Sequence, residues 1–220
     1  MTHRAILFDI DGTLVDSNYL HVEAWSRAFD GAGVPVEAWR IHRSIGMDGD
    51  QLLESLLADA DDLTRTHARE LHSVYYRALG SRLRPFEGAR ELLERLTDDG
   101  FTVVLATSAP QSELASLREV LRVEDAIDVV TSADDVETAK PAPDIVEVAL
   151  ERADVAPDNA IMVGDTVWDM KAATQAGVGG VGVQSGGFSQ PALLHAGALA
   201  VYENVADLLA KLAGSPLLEE

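Results

Sequence analysis

Cysteine is absent from the chain, which excludes both a disulfide framework and a thiolate metal site. Lysine is almost absent: only Lys140, Lys171 and Lys211 occur, and arginine supplies the other strong positive charges. No block of Lys and Arg offsets the 37 Asp and Glu that face 17 Lys and Arg, a formal net charge of -20. Such a chain repels nucleic-acid phosphates and anionic lipid, so neither a nucleic-acid nor a membrane partner is expected. Long apolar runs are also missing. The stretch Ala5-Ile6-Leu7-Phe8 meets Asp9 too soon for a signal-peptide core. Residues 172–202 contain no Asp, Glu, Lys or Arg, but Gly, Gln and Ser interrupt them, whereas a membrane helix needs about 20 mostly apolar residues in a row. A soluble, cytoplasmic protein is the expectation.

What is present suits a packed core. Of 220 residues, 47% are hydrophobic and 25% charged, with no low-complexity tract, enough for one core carrying a smaller inserted module. Short apolar runs at 5–10, 101–106, 127–130, 160–163 and 178–183 read as buried strands, and amphipathic stretches such as 89–97 and 144–153 read as helices. Strand–helix alternation with unbroken apolar strands predicts a doubly wound, Rossmann-like parallel sheet, an α/β fold. The first two strands break that rhythm. The stretch between them reads as helices near 19–31, 50–60, 62–82 and 89–97. The predicted organisation is therefore an α/β core of residues 1–15 and 88–220, with an inserted helical cap of residues 16–87.

In open parallel sheets, sites form beyond the carboxyl ends of the strands. Asp9, Asp11, Gly12 and Thr13 follow the first strand, and Thr107 and Ser108 the second. Asp165, Thr166 and Asp169 follow the fourth, while Lys140 precedes Pro141 and Pro143 at a helix start. Carboxylates crowded at one sheet edge repel one another unless a cation sits among them, and an oxygen-rich set suits Mg²⁺. With the cation's help a carboxylate can attack phosphorus, a second carboxyl can shuttle the proton, and hydroxyls with a lysine can hold phosphoryl oxygens.

The run Asp9-Ile10-Asp11-Gly12-Thr13-Leu14-Val15-Asp16-Ser17 resembles the first signature of the haloacid dehalogenase superfamily in its phosphatase form. Thr107 or Ser108, Lys140-Pro141, and Gly164-Asp165-Thr166 with Asp169 resemble the second, third and fourth. The helical insert resembles the cap of the subfamily that contains phosphoglycolate phosphatases and β-phosphoglucomutase. The resemblance implies Asp9 as nucleophile and metal ligand, and Asp11 as general acid and base that also lends its carbonyl to the metal. It implies Asp165 as a direct ligand of Mg²⁺, and Asp169 as holding metal-bound water or orienting Lys140. Thr107, Ser108 and Lys140 would grip phosphate. His21, Gly46 and Met47 are implied as substrate-side cap residues, against the plainer alternatives of packing and a helix-start turn. The substrate class implied is a small phosphorylated metabolite.

Three other readings compete. In a phosphomutase of this subfamily valine replaces Thr13 and an arginine lies in the loop where Met47-Asp48-Gly49-Asp50 stands here. A non-enzymatic phospho-receiver shares the acidic cluster, Thr/Ser and Lys, but its phosphoacceptor is not on the first strand. Dehalogenases lack the acid that Asp11 supplies.

Overall fold

The computed structural model describes residues 4–136, 138 and 140–218. In chain order its elements are β1 (Ala5–Phe8), α1 (Asn18–Gly31), α2 (Ala38–Ser44), α3 (Gly49–Leu56), α4 (Asp62–Leu79), α5 (Ala89–Asp98), β2 (Thr102–Ala106) and α6 (Gln111–Leu121). They continue with β3 (Val129–Thr131), α7 (Asp144–Ala153), β4 (Ala160–Gly164), α8 (Val167–Gln175), β5 (Gly179–Val183), α9 (Gln190–His195), β6 (Ala198–Tyr202) and α10 (Val205–Ala210).

The six strands form one parallel sheet in the order β3-β2-β1-β4-β5-β6. The chain winds outward from β1 to β3, then returns beside β1 as β4 and winds the other way. That reversal places a crevice at the carboxyl ends of β1 and β4. Strand periodicity explains why the apolar runs are unbroken. Ala5 and Leu7 face one side with Val104 and Met162, under Ile145, Val146 and Ala149 of α7. Ile6 and Phe8 point to the other side and are equally buried. Both faces are covered, so neither can carry polar residues.

Residues 17–83 form a separate compact unit. Its core gathers Trp25 and Phe29 of α1, Ile41 of α2, Leu52 and Leu53 of α3, and Ala68 of α4. Two of its helices start on aspartate. Asp48 accepts from the backbone N–H groups of Asp50 and Gln51 at 2.6 and 2.9 Å, and Asp61 accepts from Thr64 at 2.7 Å. Each cap satisfies amides that the helix itself cannot.

Three elements differ from the sequence reading. The seven-residue α2 was not expected, and the stretch 172–202, where one strand at 178–183 is predicted, holds the end of α8, then β5, and beyond it α9 and β6. β6 lies at the sheet edge and is only partly buried, with Leu199 61% exposed, so it lacks the uniform apolar signal of the inner strands. Among the described residues no helix is long and apolar enough to cross a membrane.

Candidate active site

The crevice at the ends of β1 and β4 is lined from five segments of the α/β unit. Asp9 immediately follows β1, and its backbone N–H donates to Val163 of β4 at 2.9 Å, which extends the ladder one residue and fixes where its side chain leaves the sheet. The chain then turns sharply. Thr13, Leu14 and Val15 all donate backbone N–H groups to the Ile10 carbonyl, at 3.3, 2.9 and 2.9 Å. Gly12 takes φ +75°, a left-handed conformation open to glycine at little cost. Asp11, half-buried, rides on this turn.

Lys140 is 1% exposed, the opposite of a solvated surface lysine. Its Nζ donates to Asp9 Oδ1 at 2.6 Å and to the Ala106 carbonyl at 2.9 Å. It also forms an ion pair with Asp169 Oδ1 at 2.8 Å. Asp169 belongs to the first turn of α8 and does two jobs. Its Oδ2 accepts from the Thr166 N–H at 3.0 Å and the Thr166 hydroxyl at 2.6 Å, closing a capping box, while Oδ1 faces the lysine. Helix capping and charge pairing are both met by one carboxylate.

Asp165, fully buried, accepts at Oδ1 from the Thr13 hydroxyl at 3.0 Å. Sequence reasoning did not single out Thr13 as a partner of Asp165: 152 residues separate them, and only the pairing of β1 with β4 brings them together. Ser185, just beyond β5, was missed for the same reason; its hydroxyl donates to the Gly12 carbonyl at 2.7 Å. After β2, the Thr107 hydroxyl accepts from the Ala109 N–H at 3.0 Å and does not cap α6, whose N-cap position is Pro110. The Ser108 hydroxyl is buried with no hydrogen-bond partner among the described residues. A buried hydroxyl left so is an open donor for an oxygen ligand.

Carboxylate oxygens of Asp9, Asp165 and Asp169 all lie within 4.8 Å of one another. Lys140 pairs with two of these three buried carboxylates, Asp9 and Asp169. Burial pushes the Asp9 carboxyl up from 3.8 to about 7, with Asp169 and Asp11 adding to the rise and Lys140 opposing it. Burial pulls Lys140 down, but Asp169 and Asp9 outweigh it and hold the ammonium above its ordinary range. A hard divalent cation fits this donor set: the ligand atoms are all oxygen, and the negative charge exceeds what Lys140 balances.

His21, Gly46 and Met47 belong to the helical unit. His21 stacks on Tyr76 at 3.8 Å between ring centres, and its Nδ1 lies 3.2 Å from Nε2 of buried His72. Burial, and then His21, hold His72 well below the usual imidazole range. Gly46 takes φ +96° in the turn after α2, and Met47 packs against the unit's core.

A family model described as haloacid dehalogenase-like hydrolase matches residues 3–177. The chain is 32% identical over 202 residues to a phosphorylated carbohydrates phosphatase of Thermotoga maritima, covering 90% of this chain and 93% of that one. It is 32% identical over 218 residues to a phosphoglycolate phosphatase of Rhodospirillum rubrum, covering 93% and 89%. The crystal structure of a hydrolase from Pseudomonas syringae superposes with a TM-score of 0.92 at 36% identity, covering 96% and 99%.

Two outcomes are expected. In metal-free protein the raised Asp9 carboxyl contributes stability that is complete below 3.8 and lost as pH rises to about 7. Stabilisation by a divalent cation among these carboxylates, probed with Mg²⁺, should therefore grow across that window. On its alkaline side an ion at about a hundred times its Kd adds about 2.7 kcal/mol, roughly 5–10 °C in Tm for a chain of this length. Thermal scans with MgCl₂ and with EDTA measure it, and equal Tm values would argue against a cation site. Second, a Cβ on Gly164 would lie 2.5 Å from Asp169 Cβ. Gly164→Ala should cost about 1–3 kcal/mol of stability and remove most of the Mg²⁺-induced rise; wild-type behaviour in both would refute that contact's importance.

Proposed function

The chain belongs to the haloacid dehalogenase-like hydrolases, and we propose that it is a Mg²⁺-dependent phosphatase of small phosphorylated metabolites that works through a phosphorylated Asp9. The observation that carries this reading is the placement of Asp9. Its carboxylate stands at a strand end, held by Lys140 at 2.6 Å and gathered with Asp165 and Asp169 within 4.8 Å. A carboxylate so placed is oriented and desolvated by the protein, and Lys140 together with a bound cation would compensate its charge, as a nucleophile for an anionic phosphate ester requires.

In the first displacement an Asp9 oxygen forms a bond to phosphorus as the ester oxygen departs. Asp11 gives its proton to that oxygen, so an alcohol leaves rather than an alkoxide. In the second, Asp11 takes a proton from water, water oxygen bonds to phosphorus, and the Asp9–phosphorus bond breaks to release inorganic phosphate. Lys140 neutralises the phosphoryl oxygens throughout, and Thr107 and Ser108 supply hydroxyls beside them. Mg²⁺, held by Asp9, Asp165 and the Asp11 carbonyl, would supply electrostatic neutralisation of the transferring group. The named activities of the similar phosphatases, toward phosphorylated carbohydrates and phosphoglycolate, support a small phosphomonoester as substrate.

The test is turnover of phosphate monoesters with Mg²⁺, following free phosphate and, for sugar phosphates, isomer formation. Phosphate release without isomerisation is expected, and isomerisation in its place would establish a mutase. Asp9→Asn keeps the side chain's size and should fold normally while kcat falls by at least about 10³-fold, as loss of a nucleophile does. Activity near wild type in that variant would reject the mechanism.

A further inference from the structure

We infer that Ser185 is a positioning residue for Asp11, acting through the Gly12 carbonyl; the inference rests on the acid–base role of Asp11 given above. The turn that carries Asp11 is anchored on both sides. Before it, the Asp9 N–H is bonded to Val163 at 2.9 Å. After it, the Thr13 hydroxyl is bonded to Asp165 at 3.0 Å. Between these anchors stands Gly12 at φ +75°, whose N–H donates to the Val15 carbonyl at 2.8 Å. That bond holds one side of Gly12, and a hold on its carbonyl side steadies the turn that carries Asp11.

The Ser185 hydroxyl supplies that second hold. Its 2.7 Å bond to the Gly12 carbonyl has the normal length for O–H donating to oxygen, and it reaches the turn from 173 residues away. The donor itself is well supported. Gln184, next to it, donates its N–H to Tyr202 of β6 at 3.0 Å, and Gly187 donates back to Gln184 at 2.9 Å. Ser185 therefore transmits the rigidity of the β5–β6 edge to the Gly12–Thr13 peptide, one residue beyond Asp11. A general acid must meet the leaving oxygen within hydrogen-bond reach, so small drifts in its carrier cost rate.

Leaving-group dependence reads this directly, because only a poor leaving group needs its proton. kcat/KM is measured with Mg²⁺ for p-nitrophenyl phosphate and for phenyl phosphate, esters of similar shape. Ser185→Ala should lose about 10–100-fold on phenyl phosphate, the usual range for an outer-shell partner, and far less on p-nitrophenyl phosphate, with Tm near wild type. Ser185→Thr, which keeps the hydroxyl, should restore the phenyl phosphate rate. Asp11→Asn should show the same split more strongly, and adding Ser185→Ala to it should change nothing further. Equal losses on the two esters, or losses that add to those of Asp11→Asn, would overturn the inference. If Asp11→Asn itself shows no split, the acid–base reading fails and this one with it. If Asp11→Asn splits and Ser185→Ala does not, Ser185 alone is wrongly assigned. Should the alanine variant not fold, Ser185→Cys, similar in shape but a weak donor, carries the same comparison.

Discussion

The buried contact between Lys140 and its two carboxylates, Asp9 and Asp169, is the constraint around which the catalytic unit is arranged. Taking one such ion out of water costs several kcal/mol even after relaxation, and three carboxylates with one ammonium leave negative charge unbalanced. Pure stability would favour apolar residues there. The molecule instead surrounds the cluster with hydrogen bonds. Thr13 donates to Asp165, Thr166 to Asp169, and the Ala106 carbonyl accepts from Lys140. These bonds fix the geometry but do not remove the excess charge. A divalent cation among the carboxylates would do so, so the electrostatic imbalance of the cluster is also its affinity for such an ion.

The sheet explains how distant residues reach one place. β1 and β4 are neighbours where the winding reverses, so Asp9 and Asp165 leave the sheet side by side although 156 positions apart in number. Gly164 lets α8 begin close against the strand it follows, which brings Asp169 to the lysine. Asp169 illustrates economy of placement: the same side chain closes the helix start and faces the ammonium. A shorter or longer turn between β4 and α8 would satisfy one role and lose the other.

Much of this was legible in the sequence, and for a physical reason. Inner strands buried on both faces must be apolar throughout, and the residues after them must turn, so β1, β2 and β4 announce both themselves and the polar residues at their ends. Partial burial and long-range contacts leave no such trace in the sequence. β6 sits at an edge with Leu199 exposed, and α2 is too short to show a period. Thr13 was legible as part of a signature but not as the partner of Asp165, and Ser185 lies in a Gly- and Ser-rich loop that composition alone presents as featureless. The helical unit gave its helices through periodicity, whereas the stacking of His21 on Tyr76 and its pairing with His72 depend on how α1 meets α4.

A formal charge of -20 seems ill suited to an anionic substrate, yet distance resolves the conflict. At physiological ionic strength exposed charges are screened over about 8 Å, so most surface carboxylates contribute little at the crevice. Pairs inside the protein are screened far less. Lys140, 1% exposed, therefore counts for more at a phosphoryl group than any of the solvated arginines, and a cation among Asp9, Asp165 and Asp169 would count for more again. Near-absence of lysine elsewhere is consistent with this division: the bulk surface sets solubility, while a handful of buried groups sets the field in which phosphorus is attacked.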